Sequence, residues 1–116
     1  VVAIEDRTWV LTRLGEQVIT PPKEFMGAHL ILMSKEQRVA GSGGCNRLMG
    51  GYTLKGNKLS FSQMASSMMM CDERMEQEQK FLLALAEVTH WDIAGSTLTL
   101  RDKTGKSIIT LRAEKD

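Results

Sequence analysis

The sequence predicts an α+β fold in which one helix packs against the concave face of a curled antiparallel sheet of about seven short strands. Three observations lead to this prediction. Several short segments alternate apolar and polar residues in the period of two that is typical of half-buried strands. The pair Gly56-Asn57 separates two such segments, as in a tight hairpin. One segment, residues 72–90, has few breakers and carries an apolar stripe at helical spacing.

The composition indicates one globular domain. The chain has 116 residues, of which 42% are hydrophobic and 25% charged. Its 15 basic and 14 acidic residues give a net charge of +1, and the basic residues are scattered, so we expect no nucleic-acid partner. The longest apolar run, residues 81–86, is far too short for a membrane span.

The first half of the chain predicts a strand followed by a hairpin. Residues 8–14 alternate as a strand and lead into a turn. The consecutive prolines 21–22 remove two backbone donors, so they should lie in a connection or at a sheet edge. Residues 28–34 and 38–42 flank the polar residues 35–37, which predicts a hairpin with a short loop.

The second half predicts two further hairpins around the helix. Residues 52–55 and 58–62 flank Gly56-Asn57, a pair expected to supply the positive φ angles of a two-residue turn. Strands are also predicted at residues 91–93, 97–101 and 107–112.

The helix predicted at residues 72–90 has its own end signals. Asp72 is suited to cap the first amides, and Glu73 and Glu76 lie at the positive end of the helix dipole. His90 lies near the negative end. The stripe expected to face the sheet consists of Met75, Phe81, Leu82, Leu85 and Ala86, and the opposite face carries Glu76, Gln77, Lys80 and Glu87.

Two cysteines, Cys45 and Cys71, leave several interpretations open. Structural zinc is disfavoured because the sequence has no Cys-x-x-Cys pair and only two histidines. A nucleophilic Cys45 would need a positioned base, which the sequence does not indicate. We favour a disulfide, worth roughly 3 kcal/mol in the chain-entropy model, over two reduced buried thiols.

A glycine-rich loop at residues 41–46 contains the first cysteine. It lacks the Gly-Lys-Ser/Thr ending of a nucleotide-binding loop, and no helix follows it. We interpret the glycines as permitting a tight bend and close backbone approach. In this interpretation Asn46 bonds its own turn and Arg47 anchors a neighbouring carboxylate or carbonyl.

Four segments form a recognisable set: Gly-Ser-Gly-Gly-Cys-Asn-Arg at residues 41–47, Gly-Tyr at 51–52, the hairpin at 56–61 and the Met-rich segment 64–71 that ends in Cys71. In this set the sequence resembles the META domain, which includes HslJ-like proteins. Ser67 stands where the family commonly has Thr, and the hydroxyl is retained. The family-signature loop residues are Gly43, Gly44, Asn46 and Arg47.

This resemblance implies a cracked β-barrel with one helix, found in heat-inducible bacterial envelope lipoproteins, and it brings no catalytic residues. It therefore implies a periplasmic or outer-membrane-anchored protein. The chain begins at Val1 without a Met or a leader, so we expect that a targeting segment has been removed. The resemblance to lipoproteins leaves open whether that segment carried a lipid anchor. We expect a monomer without a transmembrane segment.

The methionine-rich segment permits two ligand hypotheses. Clustered thioethers beside a thiol can bind Cu(I), but consecutive Met residues on extended backbone point to opposite faces. We therefore favour an apolar cleft between helix and sheet for a lipid or an envelope protein, since Met side chains line adaptable surfaces. The residues expected to line it are Met64, Met68, Met70, Leu82 and Leu85.

These observations predict a non-enzymatic envelope protein, related to stress or assembly, that binds an apolar ligand or a protein partner. We expect no catalytic residue, cofactor or metal site. The alternatives are a small hydrolase or redox protein that depends on Cys45, and a Cu(I)-binding protein.

Overall fold

The computed structural model describes residues 3–19, 27–43, 46–67 and 74–114. These ranges contain nine strands and one helix. The elements are β1 Thr8–Leu14, β2 Gln17–Val18, β3 His29–Met33, β4 Arg38–Ser42, β5 Arg47–Lys55, β6 Lys58–Ser66, α1 Arg74–Ala86, β7 His90–Ala94, β8 Thr97–Arg101 and β9 Ser107–Ala113.

All strands belong to one antiparallel sheet. Their order is β2-β1-β3-β4-β5-β6-β7-β8-β9, and β1 also pairs with β9, so β1 and β3 to β9 close into a ring. The predicted fold class, an antiparallel sheet with one packed helix, is confirmed. The sheet has nine strands rather than about seven, in part because β2 spans only two residues and shows no alternation in the sequence.

The ring is weakest between β6 and β7. The ladder between these strands has one residue pair, Lys58 with His90. Two backbone hydrogen bonds flank it, from Leu59 N to Thr89 O and from Trp91 N to Asn57 O, each 3.0 Å long. The helix α1 packs on β6, β9 and β1, so it fills the ring beside this weak junction. No helix within the described ranges is long and apolar enough to cross a bilayer.

The central strands are longer than the sequence predicts. β5 begins at Arg47, five residues before the predicted start, because Gly50 and Gly51 continue the strand. Gly50 lies at a close approach to β6: a Cβ on it would lie 2.5 Å from the sulfur of Met64 and 3.0 Å from the Met64 Cα and the Ser62 carbonyl oxygen. At the hairpin turn, Gly56 has the predicted positive φ of 57°, whereas Asn57 does not have a positive φ.

The helix is shorter than predicted. It ends at Ala86, and the amides of Glu87 and Val88 bond to carbonyls three residues back, which closes the last turn. His90 therefore starts β7 and does not lie at the end of the helix dipole, so that prediction is wrong. The expected caps, Asp72 and Glu73, lie outside the described residues.

The buried stripe of the helix also differs from the prediction. Phe81 and Leu85 are fully buried, as expected, but Ala86 is exposed. Glu78 is buried in its place, one turn before Phe81. The other fully buried large side chains come from the sheet: Trp9, Leu11, Leu30, Leu32, Leu48, Leu59, Leu98, Leu100, Ile109 and Leu111.

A bulge in β6 provides a test of backbone strain. Met49 pairs with Ala65 and Gly51 with Ser62, so Gln63 and Met64 oppose Gly50, and exposed Gln63 has a φ of 53°. We expect Gln63→Gly to raise the free energy of unfolding by about 0.5 to 1 kcal/mol, because the left-handed region penalises a side chain. Urea unfolding measures this change.

The matched control for this variant is Gln17→Gly in β2, where the exposed glutamine has no positive φ. There we expect no gain in stability, since glycine only adds flexibility to the unfolded chain. Equal effects at the two sites would contradict the role of the bulge.

Candidate functional site

The two most buried polar side chains of the described residues, Asn46 and Glu78, lie at the glycine loop. Asn46 and Glu78 are each 2% exposed, and they come from the loop before β5 and from the first half of α1. A charged side chain is rarely buried to this degree unless it is hydrogen-bonded or paired. The hydrogen bonds of Glu78 therefore identify the contacts that hold the loop in place.

Asn46 binds both oxygens of the Glu78 carboxylate. Its backbone N–H donates to Glu78 Oε1 at 2.5 Å, and its side-chain Nδ2 donates to Oε2 at 2.7 Å. Hydrogen bonds to a charged acceptor are roughly twice as strong as neutral ones. The helix is thereby joined to the loop across 32 residues of sequence.

Ser67 extends this cluster to the end of β6. Its hydroxyl donates to Asn46 Oδ1 at 3.0 Å and accepts the backbone N–H of Arg47 at 3.1 Å. Its own N–H donates to the carbonyl of Arg47 at 3.0 Å. The hydroxyl retained at this position thus fixes the orientation of the Asn46 amide, and the start of β5 and the end of β6 both lie at the loop.

Gly43 has no side chain and so leaves room for the Glu78 carboxylate. A Cβ on Gly43 would lie 2.3 Å from Cγ and 2.9 Å from Oε1 of Glu78, closer than side-chain contacts allow. The N–H of Gly43 donates to the carbonyl of Asn46 at 3.2 Å. The close backbone approach predicted for the glycines is found here, although the partner is a helix side chain that the sequence analysis did not single out.

This arrangement is suited to holding a loop rather than to reacting with a substrate. Glu78 is 2% exposed and both of its oxygens accept hydrogen bonds from Asn46. A general base must reach the proton that it abstracts, which requires access to bound substrate. Among the described residues, no buried side-chain nitrogen or oxygen lacks a hydrogen-bond partner.

The sequence feature that indicates the burial of Glu78 is its spacing from the core residues of the helix. The prediction placed the neighbouring glutamates on a solvated helix face, where most glutamates lie. Glu78, however, is three residues before Phe81 and seven before Leu85, so it lies on the same helix face as the core residues. A carboxylate at that helical spacing lies on the buried face of the helix, where it needs a polar partner.

The predicted site residues that remain are Arg47, Gly44, the two cysteines and the apolar lining. Arg47 is exposed, and no partner for its guanidinium is found among the described residues, so the predicted anchor is not seen there. Of the predicted apolar lining, Leu85 is fully buried, while Met64 and Leu82 are half-buried against the core. The residues Gly44, Cys45, Met68, Met70 and Cys71 lie outside the described ranges, so the disulfide stays a prediction.

The described residues contain no group of three or more His, Cys, Asp or Glu side chains that could hold a metal ion.

Tyr52 forms a second buried polar contact. Its hydroxyl donates to the Glu5 carboxylate, and its N–H donates to the carbonyl of Gln37 at 3.3 Å. Tyr52 thereby fastens the segment before β1 to β5.

Burial, reinforced by the hydrogen bond to Glu5, raises the pKa of the Tyr52 phenol well above its usual range. A raised pKa in the folded state means that the stability contribution is complete below the unfolded pKa of about 10 and is lost as the pH rises above it. We therefore expect the urea midpoint to fall above about pH 10.

Because Tyr52 is the single tyrosine of the chain, its absorbance titration reports this phenol alone. We expect the phenolate signal to appear only as the protein unfolds. Tyr52→Phe serves as the comparison: its midpoint should be lower at pH 8, and it should lose less between pH 8 and about pH 11 than the parent protein. An ordinary titration near pH 10 in folded protein would contradict the expected burial.

The comparisons with known proteins comprise a family model and solved structures with a similar fold. A family model described as the META domain matches residues 2–115. The chain is similar to an NMR structure of a protein from Burkholderia xenovorans, with 28% identity, a TM-score of 0.73, and coverage of 97% of this chain and 85% of that one. None of the curated proteins compared with it matches.

Two further structures share the fold. One is another NMR structure, with 23% identity, a TM-score of 0.71, and coverage of 94% of this chain and 90% of that one. The other is the crystal structure of a DUF4847 family protein from Bacteroides vulgatus, with 12% identity, a TM-score of 0.68, and coverage of 97% and 96%. At these identities the likeness concerns the fold alone.

Proposed function

This chain belongs to the META domain family, and we propose that it is a non-enzymatic protein of the bacterial envelope that binds an apolar ligand at the junction of α1 and β6. The ligand class is a lipid acyl chain or an apolar segment of an envelope protein. The envelope location follows from the family resemblance, and a role in stress or assembly is the corresponding biological proposal.

The observation that carries the proposal is that α1 packs on β6 and that these two elements carry three half-buried apolar side chains, which we call the α1–β6 seam. It consists of Phe61 and Met64 on β6 and Leu82 on α1. All three pack against the core yet keep part of their surface exposed. β6 pairs with β7 only at Lys58, so no β7 residue pairs with the part of β6 that carries Phe61 and Met64.

The composition of the seam suits an adaptable ligand. Met64 is unbranched, and its sulfur lies over Gly50, where no side chain opposes it. Such a side chain can change rotamer to admit a methylene chain at little cost, which is the property of Met-lined binding surfaces. The non-enzymatic part of the proposal is supported by Glu78, whose carboxylate is engaged by the loop.

A ligand titration tests the proposal. We expect palmitate, added to the full chain below its critical micelle concentration, to shift the methyl NMR resonances of Met64 and Leu82. Leu82→Ser should weaken this binding at least tenfold, a difference of about 1.4 kcal/mol. Thermal unfolding of each variant shows that it remains folded.

The matched control is Leu83→Ser, the same change one position along the helix at a side chain that is 71% exposed. It should leave palmitate binding within twofold of the parent protein. Binding that is absent, or that depends on Leu83 and not on Leu82, would contradict the proposal.

A further inference from the structure

A shallow groove of about 300 Å³ lies at the β5–β6 hairpin, at the opposite end of β5 from the glycine loop. Its walls come from both strands of the hairpin and from the connection before β7. The residues that line it are Thr53, Lys55, Lys58, Leu59, Ser60 and Thr89. Thr53, Lys55, Lys58 and Ser60 are exposed, so the groove opens to solvent, while Leu59 is buried beneath it.

The two lysines face each other directly. Lys55 and Lys58 are partners in the β5–β6 ladder, and like charges directly opposite each other on a sheet destabilise it. Within the described ranges, the ion pairs join Glu76 to Lys80 and Asp92 to Arg101, so neither groove lysine has a carboxylate partner there. The hairpin therefore holds two uncompensated positive charges close together.

Hydroxyl groups surround these charges. Thr53 and Ser60 form the next pair in the ladder, and both line the groove with the lysines. Thr89 approaches from the connection before β7, where its Oγ1 lies 2.8 Å from His90 Nδ1. Each hydroxyl can donate one hydrogen bond and each ammonium three, and no carboxylate lines the groove.

We propose that this groove binds a phosphate group, carried either by a soluble phosphorylated molecule or by the headgroup of an anionic phospholipid. A phosphate offers several acceptor oxygens and a negative charge, which match two ammonium groups and three hydroxyls. The site goes beyond the apolar-ligand function because it shares no residue with the α1–β6 seam, and either proposal can fail without the other.

The test is an amide NMR titration of the full chain with inorganic phosphate, at an ionic strength held constant with sodium chloride. We expect the amides of Lys58, Ser60 and Thr89 to shift together, with a dissociation constant on the order of 1 mM. Lys55→Glu should weaken binding at least tenfold. This variant should fold at least as stably as the parent protein, because it replaces a like-charge pair by an opposite one.

The matched control is Lys103→Glu, the same charge change at an exposed turn residue outside the groove. It should leave the phosphate affinity within twofold of the parent value. A second arm measures cosedimentation with vesicles of phosphatidylcholine alone and with phosphatidylglycerol added.

The two arms distinguish the source of the phosphate. Binding to free phosphate alone, lost in Lys55→Glu, supports a soluble ligand. Binding to phosphatidylglycerol vesicles, lost in the same variant, supports a lipid headgroup. Binding in neither arm, or binding that Lys103→Glu weakens as much as Lys55→Glu does, would overturn the proposal.

Discussion

Glu78→Ala is expected to lower the free energy of unfolding by about 3 to 4 kcal/mol. The substitution removes both hydrogen bonds that the carboxylate accepts from Asn46, and each bond to a charged group is worth about 1.5 to 3 kcal/mol. It also leaves the buried amide of Asn46 with donors that have lost their acceptor. For a chain of this size the midpoint of thermal unfolding should fall by roughly 15 °C.

Two further variants separate the hydrogen bonds from the loss of volume. Glu78→Gln keeps the shape but places an NH₂ group where Asn46 presents either its N–H or its Nδ2, so we expect a loss of about 2 kcal/mol. Glu76→Gln is the exposed control, since Glu76 pairs only with Lys80 one turn away, and it should cost at most about 0.5 kcal/mol. A loss for Glu78→Ala no larger than for the control would refute the role of the cluster.

Gly43→Ala is expected to lower the free energy of unfolding by about 2 to 3 kcal/mol, and most of this loss should disappear when Glu78 is already alanine. The added Cβ would lie 2.3 Å from Glu78 Cγ, an atom that Glu78→Ala removes. The remaining Glu78 Cβ lies 3.0 Å away, a contact that a small shift relieves. A double-mutant cycle by denaturant unfolding measures this coupling.

Gly41→Ala provides the control for that cycle. Its Cβ would lie 2.1 Å from the carbonyl oxygen of His29 on β3, so we expect a loss of similar or greater size. Because this clash is with backbone and not with Glu78, the loss should persist in the Glu78→Ala background. Coupling of equal size for Gly41 and Gly43 would show that Glu78→Ala disturbs the whole loop instead of relieving one contact.

The sequence predicted the fold class because its hairpins are local. Gly56-Asn57 and the alternation at residues 97–101 and 107–112 specify pairings between neighbouring strands, which short-range patterns encode. The pairing of β1 with β9 has no such signal, because its partners lie far apart in sequence. The helix end was also missed, since residues 87–90 continue without glycine or proline.

The sequence predicted the loop residues of the candidate site but not their partner on the helix, Glu78. Gly43 and Asn46 belong to the recognisable glycine-rich loop and Ser67 to the Met-rich segment, and the structure brings these three residues together. Glu78 was missed because a glutamate on a helix normally faces solvent, although its spacing from Phe81 and Leu85 places it on the buried face. Its partner Asn46 is 32 residues away, so the hydrogen bonds themselves have no local signal. The groove lysines were missed because scattered basic residues become a pair only once the ladder register is known.

The closure of the ring by β1 and β9 has a consequence for biosynthesis. Leu11 pairs with Leu111, so β1 leaves the ribosome well before β9 and has no partner on that edge until β9 follows. Closing so long a loop is slow, and an unpaired strand edge attracts other chains in the meantime. We therefore expect the β9-facing edge of β1 to stay open to other chains until β9 has been synthesised.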